Sequence, residues 1–209
     1  MFRNLTPVVR ALLLVNFIVY ALQRFTGYGD LLLEHFALWP IGASQQGSPI
    51  PFEPWQVVTY AFLHDPRNWA HILGNMLAVY MFGSDTELVL GSRRFGFYYF
   101  ACVIGAALTQ LAVMHAAHSE PYPTLGASGG VFGILLLFGM SFPQRKVIML
   151  FLPIPIPAWL FVMLYGLFEL GFGVFGGSDG VAHFAHLGGL ATGALLILYW
   201  RSTSRRPAG

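Results

Sequence analysis

The sequence predicts an all-α membrane protein, a bundle of six transmembrane helices with both termini in the cytoplasm. Three observations carry that expectation. Of the 209 residues 56% are hydrophobic and only 10% are charged, against about 25% charged in ordinary water-soluble domains. Apolar runs recur along the chain, separated by polar or turn-rich breaks. The 24 glycines, about 11% against an average near 7%, suit helices that pack closely in lipid. The same numbers exclude other classes. Lys+Arg 11 against Asp+Glu 9 leaves no basic surface for nucleic acid. The chain is too apolar for disorder, and a single cysteine, Cys102, cannot form an internal disulfide. Six helices of about 20 residues use roughly 120 residues, so residues 1–209 read as one transmembrane domain with short connections.

The first span is expected from about Val8 to Arg24. No small-residue cleavage site follows its ALLLVNFIVYAL core, so it reads as a retained span rather than a signal peptide. The connection from about Phe25 to Asn68 is the only long one, and it is apolar enough to lie partly in the membrane interface, where Trp39 and Trp55 would sit well. The second span runs from Trp69 to Gly83, the third from Phe95 to His115 and the fourth, a short one, from Ala127 to Phe142. The fifth runs from Val147 to Phe172 and the sixth from Val181 to Trp200.

Orientation follows from the basic residues. With the N-terminus inside, Arg3, Arg10, Arg93, Arg94, Arg145, Lys146, Arg201, Arg205 and Arg206 face the cytoplasm, and only Arg24 and Arg67 lie outside. The reverse orientation would put nine basic residues outside and two inside, against the positive-inside rule.

Polar side chains inside spans are costly and therefore functional candidates. His71 and Asn75 lie one turn apart on one face of span two. Ser128 opens span four, and span six carries His183 and His186. Spans two, four and six all run from outside to inside, so His71, Ser128 and His186 share a level on the order of 10 Å below the outer surface. Small residues surround Ser128 (Gly126, Ala127, Gly129, Gly130). Two GxxxG stripes, Gly129/Gly133 and Gly189/Gly193, follow the serine and the histidine and permit close approach of their helices. A serine within hydrogen-bond reach of an imidazole base is the arrangement nucleophilic catalysis needs. The free N–H groups of a helix start, with His71 and Asn75 as donors, suit a developing oxyanion.

These motifs, HxxxN (His71, Asn75), GASG (Ser128) and AHxxGxxxG (Ala185, His186, Gly189, Gly193), resemble those of the rhomboid intramembrane serine proteases, of the compact six-span bacterial type. Smaller matches are Trp55-Gln56, where the family carries Trp-Arg, Phe62-Leu63-His64, Glu87, and the stretch from Pro153 to Trp159. The resemblance covers about Pro54 to Gly193. It implies that Ser128 is the nucleophile and His186 the general base. His71, Asn75 and the Ser128 backbone N–H would form the oxyanion hole, with Gly126 in the loop leading to it. It implies a dyad rather than a triad, with Phe132 where the family often stacks a tyrosine under the base. Cleavage is then expected in single-span membrane proteins, near the outer end of a locally unwound helix. Access would be sideways from the bilayer between spans two and five, with motion of span five and the loop from Gly173 to Gly180. The expected location is a bacterial inner membrane, the site opening outward.

These residues also admit other readings. Ser128 alone reads as a packing residue, Asn75 as a cap or helix bridge, and His186 alone as an interior histidine; their shared depth and motif context favour catalysis. His183, a turn nearer the surface, is the second choice for base and otherwise structural. Glu169 reads as a helix-end residue facing outer water, and Glu87 as a brace of the cytoplasmic loop with Arg93 or Arg94. His115 and His118 read as solvated, Cys102 as packing. Gly27-Tyr28-Gly29-Asp30 resembles an aspartyl-protease GxGD, but no Tyr-Asp pair exists to complete it. His183 and His186 are too few for zinc and the HExxH helix is absent, so neither metal nor cofactor is expected. A non-catalytic relative that escorts membrane proteins would lack the Ser or the His. A transporter would show internal repeats and a midplane site.

Overall fold

The structure, a computed structural model, describes residues 5–42, 50–117, 122–148, 154–176 and 182–204. Arg3, Arg205, Arg206, His118, Pro153, Gly177 to Gly180 and Val181, the expected start of the sixth span, therefore lie outside the described residues. Helix α1 (Pro7–Phe25) opens with a proline at its first position, where a missing N–H costs nothing. The long connection contains α2 (Gly29–Phe36) and a short α3 (Gln56–Thr59) that tightens into a 3₁₀ turn over Tyr60–Phe62. Helix α4 (Trp69–Ala78) starts at the cap Asn68, whose side chain accepts from the Ala70 N–H. It passes through a π-type turn (Val79–Gly83) into α5 (Ser84–Leu90), so the second span is longer than the sequence predicted. Gly91, at φ 77°, ends it in a conformation that favours glycine. Then come α6 (Ser92–Ala117), α7 (Ser128–Ser141), α8 (Ala158–Phe175) and α9 (His183–Ser204).

Helix α7 lies at the centre. Ten of its 14 residues are buried, and it is hydrophobic all round, as a helix enclosed by others must be. The core around it includes Val9, Ile72, Val79, Phe95 and Tyr99. Helices α7 and α9 meet glycine on glycine: a Cβ on Gly189 would collide with the backbone of Gly129. The second glycine of each stripe serves a different neighbour. Side chains at Gly133 and Gly193 would strike Cys102 and Tyr98 of α6. Cys102 is fully buried packing, in line with its sequence reading.

Helices α1, α6 and α8 are long and apolar enough to cross a membrane, and α7 is a shorter apolar helix. The fifth span begins later than expected. Val147 belongs to a small antiparallel pair, β1 (Lys146–Val147) with β2 (Ile156–Pro157), and α8 starts only at Ala158. The alternating prolines explain this. Pro155 and Pro157 have no N–H to donate and force the residues before them out of the helical region. The helix consequently ends at Phe175, a turn beyond the expected Phe172.

The connection before α3 is pinned down by polar contacts. Gln56 is fully buried. Its amide oxygen accepts from the Trp39 N–H at 3.2 Å, so this residue braces the first loop. Trp39 is itself buried, its Nε1 donating to the Leu33 carbonyl, and only Trp55 stays half exposed as an interfacial residue would. Leu38 and Thr124 exchange backbone hydrogen bonds at 2.9 Å, tying this loop to the segment that leads into Ser128.

Candidate active site

Ser128 is the first residue of α7, where backbone N–H groups have no intrahelical acceptor. His186 sits in the first turn of α9, buried. The close glycine contact between the two helices brings the His186 Nε2 to 2.8 Å from the Ser128 Oγ. The ring of Phe132, one turn after the serine, stacks on the imidazole with centroids 4.5 Å apart and planes at 12°.

His71 and Asn75 share a face of α4. The Asp65 N–H donates to His71 Nδ1 at 3.3 Å, which assigns the ring proton of the neutral imidazole to Nε2. That Nε2–H borders Gly126. A Cβ on Gly126 would lie 2.6 Å from His71 Nε2 and 3.8 Å from Ser128 Oγ, so the absence of a side chain opens a space flanked by donor and hydroxyl. Gly126 has φ 126°, which strains any other residue, and its N–H is held by the Tyr60 carbonyl at 3.0 Å. Asn75 is buried and donates to the His71 carbonyl at 2.9 Å, within its own helix. One further amide hydrogen remains to it.

Three residues differ from their sequence reading. Glu169 does not face outer water. It is 2% exposed, and one carboxylate oxygen bonds both His183 Nδ1 (2.6 Å) and His186 Nδ1 (2.8 Å). The signal was present, since an acid inside an apolar helix is a functional candidate. The helix runs to Phe175, so Glu169 lies about 9 Å below its end by the helical rise. His183 is correspondingly buried against Glu169 rather than near solvent. Glu87 also departs from its reading. It does not brace Arg93 or Arg94; it is buried and caps the start of α1, accepting from the Val8 and Val9 N–H groups, from Thr6 Oγ1 and from Ser92 Oγ. An ion pair at this end joins Arg145 to Asp85.

With Glu169, three possible metal ligands converge where the sequence reading counted two. Their spacing is that of hydrogen bonds: ligands on a tetrahedral zinc stand roughly 3.3 Å apart at usual bond lengths, farther than the 2.6 and 2.8 Å observed. His64 is another buried histidine, edge-on to His71 with ring centroids 5.0 Å apart. Burial, with His71 as a lesser cause, pushes its pKa down to about 3. His115, in the last turn of α6, is exposed.

Apolar helices of this length and number define a multi-pass membrane protein. A family model, Rhomboid domain, matches residues 51–203, and the chain belongs to the rhomboid family. Over 145 residues it is 33% identical to "Rhomboid protein 1, mitochondrial" of Saccharomyces cerevisiae, covering 68% of this chain and 41% of that protein. It is 30% identical over 153 residues to "Rhomboid protease GluP" of Bacillus subtilis, covering 73% of this chain and 27% of the relative. "Rhomboid protease GlpG" of Photorhabdus laumondii is 26% identical over 198 residues, covering 94% of this chain and 62% of the relative. The chain thus spans less than half the length of the yeast and Bacillus proteins.

Proposed function

We propose that this chain is an intramembrane serine endopeptidase that cleaves transmembrane segments of single-span membrane proteins. The observation that carries the reading is the 2.8 Å contact between Ser128 Oγ and His186 Nε2 at the start of a central helix. Family membership and relatives named as proteases support it. Ser128 Oγ attacks the scissile carbonyl as its proton passes to His186 Nε2. The carbonyl oxygen becomes an oxyanion in the space beside Gly126, met by the Ser128 N–H, His71 Nε2–H and the remaining Asn75 amide hydrogen. His186 then protonates the leaving amine. Water, deprotonated by the same ring, releases the acyl group from Ser128 and restores the hydroxyl. Phe132 holds the plane of the base from below.

In this reading six spans cross the bilayer with both termini inside, residues 1–209 forming one domain. The basic residues mark the inner side, and the site opens to the outer side. Substrate enters from the lipid, past α8, whose residues Leu164, Leu167 and Phe168 are exposed. Its helix must unwind there, because a helix shields its carbonyls. No cofactor or metal takes part.

Purified protein in detergent, given a single-span substrate and a fluorophosphonate, tests the reading. Wild type cleaves and is labelled at Ser128, and Ser128→Ala loses both, with kcat down on the order of 10⁶-fold. Equal cleavage by wild type and Ser128→Ala refutes it. Full activity in His186→Ala moves the base elsewhere.

A further inference from the structure

We propose that Glu169 is the third member of the site, a positioning residue whose carboxylate fixes the tautomer and in-plane orientation of His186 and stabilises the imidazolium formed when Ser128 attacks. The inference rests on the reading of Ser128 and His186 as nucleophile and base.

The placement is unusual for its helix. Only Ala158 and Glu169 are buried in α8; the rest of its surface is partly or fully exposed. An isolated carboxylate in such surroundings is strongly disfavoured, so its partners must supply what water does not. Two do. His183 and His186, one turn apart on α9, aim Nδ1 at the same oxygen, Glu169 Oε2. An ionised carboxylate only accepts, so each histidine carries its proton on Nδ1. For neutral His186 the lone pair is then on Nε2, the atom 2.8 Å from Ser128 Oγ. The groups thus run in line from acid to imidazole to hydroxyl, with both separations 2.8 Å.

The neighbours Phe132, His71 and His183 do not do this work. Phe132 stacks on the ring face and sets its tilt, but it makes no hydrogen bond that would stop the imidazole rotating in its own plane or choose between its two nitrogens. His71, on the far side of Ser128, has Nδ1 engaged by the Asp65 N–H. His183 acts on the acid rather than on the base: its N–H holds Oε2 in place, and its ring packs beside Phe172 at 5.7 Å. When the Ser128 proton reaches Nε2, the new positive charge on His186 faces a fixed negative one across an existing hydrogen bond. Nothing needs to reorganise at that moment, which is the condition for electrostatic stabilisation of a transition state.

The same contacts would also latch α8 to α9, so the experiment must separate charge from shape. Glu169→Gln keeps the volume and one accepting oxygen and removes the charge. Glu169→Asp keeps the charge and shortens the reach. A latch ranks Gln above Asp, and a positioning carboxylate ranks Asp above Gln. Cleavage of a single-span substrate in detergent is measured for wild type, both variants and Ser128→Ala, alongside melting temperature. The expected result is a kcat for Glu169→Gln lower by roughly 10²–10⁴-fold, a KM within about twofold (the signature of an interaction made in the transition state), and Asp more active than Gln. A kcat for Glu169→Gln within about tenfold of wild type, or Gln at least as active as Asp, overturns the proposal. A second measurement needs no variant to fold. The ¹⁵N spectrum of the wild-type histidines shows a protonated Nδ1 and an unprotonated Nε2 for His186; the opposite tautomer overturns the proposal. If Ser128→Ala cleaves like wild type, the protease reading has failed. If Ser128→Ala is dead while Glu169→Gln stays fully active, only the role of Glu169 has.

Discussion

Replacing Glu87 by glutamine tests how α1 is attached to the rest of the bundle. The carboxylate is 1% exposed and receives four hydrogen bonds. Oε1 accepts from the Val8 N–H at 3.1 Å and Ser92 Oγ at 2.6 Å, and Oε2 accepts from the Val9 N–H at 3.0 Å and Thr6 Oγ1 at 2.5 Å. In Glu87→Gln one of those oxygens becomes an NH₂ group. The hydroxyl on that side can turn and accept, but the backbone N–H cannot, so whichever way the amide is placed one N–H of α1 faces another donor. A buried unsatisfied donor costs about 1–3 kcal/mol. Loss of a negative charge at a helix N-terminus adds about 0.3–1 kcal/mol, up to roughly 2 when partly buried. Together these amount to roughly 2–4 kcal/mol, and at about 2–4 °C per kcal/mol for a chain of this size the melting temperature in detergent drops by about 5–15 °C. Glu87→Ala, which deprives both N–H groups, falls further. Because Glu87 lies at the end of the bundle away from Ser128, labelling of Ser128 by a fluorophosphonate below the melting point changes little. A Glu87→Gln protein that melts within about 1 °C of wild type refutes the reasoning, since it would mean that α1 does not depend on this cap.

Two further predictions concern the neighbourhood of the site. Gly126→Ala places a Cβ 2.6 Å from His71 Nε2 at φ 126°; the backbone strain is about 1–3 kcal/mol, and displacement of the ring on the order of 1 Å costs roughly 10²-fold in kcat. Wild-type turnover in that variant would show that the space beside Gly126 is not used. His64 gives a pH dependence. The folded protein keeps it neutral down to about 3, whereas the unfolded chain binds a proton below about 6.5. Its contribution to stability is therefore lost as the pH falls from about 6.5 towards about 3, and the loss stops below that. His64→Asn lacks this term, so the gap in melting temperature between wild type and variant narrows between about pH 7 and about pH 4; a gap independent of pH refutes the assignment.

Much of the molecule was legible before any coordinates. Scarce charge announced lipid as the solvent. The apolar runs located most helices to within a few residues; the exceptions are the second span, which continues through the π-type turn to Leu90, and the fifth, delayed by prolines. The common direction of three helices put Ser128, His186 and His71 at one depth, and the small residues beside Ser128 and His186 announced that α7 and α9 would touch. These properties are local or periodic, and periodicity survives in one dimension. Where the reading went astray, local chemistry overrode composition. The stretch with Pro155 and Pro157 is apolar enough to count as span, yet proline geometry put Ile156–Pro157 in a short strand paired with Lys146–Val147 and delayed the start of α8 to Ala158.

What only the tertiary structure decided is the partnership of the buried acids. Glu169 is 17 residues from His186, and Glu87 is 78 residues from Val9. Their side chains looked alike on the page, two carboxylates near the ends of apolar helices. A carboxylate buried in an apolar bundle is tolerable only where donors converge on it. Which donors converge depends on which helices cross, and that crossing is set by packing across the whole chain. The sequence determined by itself that a few polar groups would be held inside a membrane protein and on which helices they ride. The fold decided that one acid ties down the first helix and the other stands behind the histidine that meets Ser128.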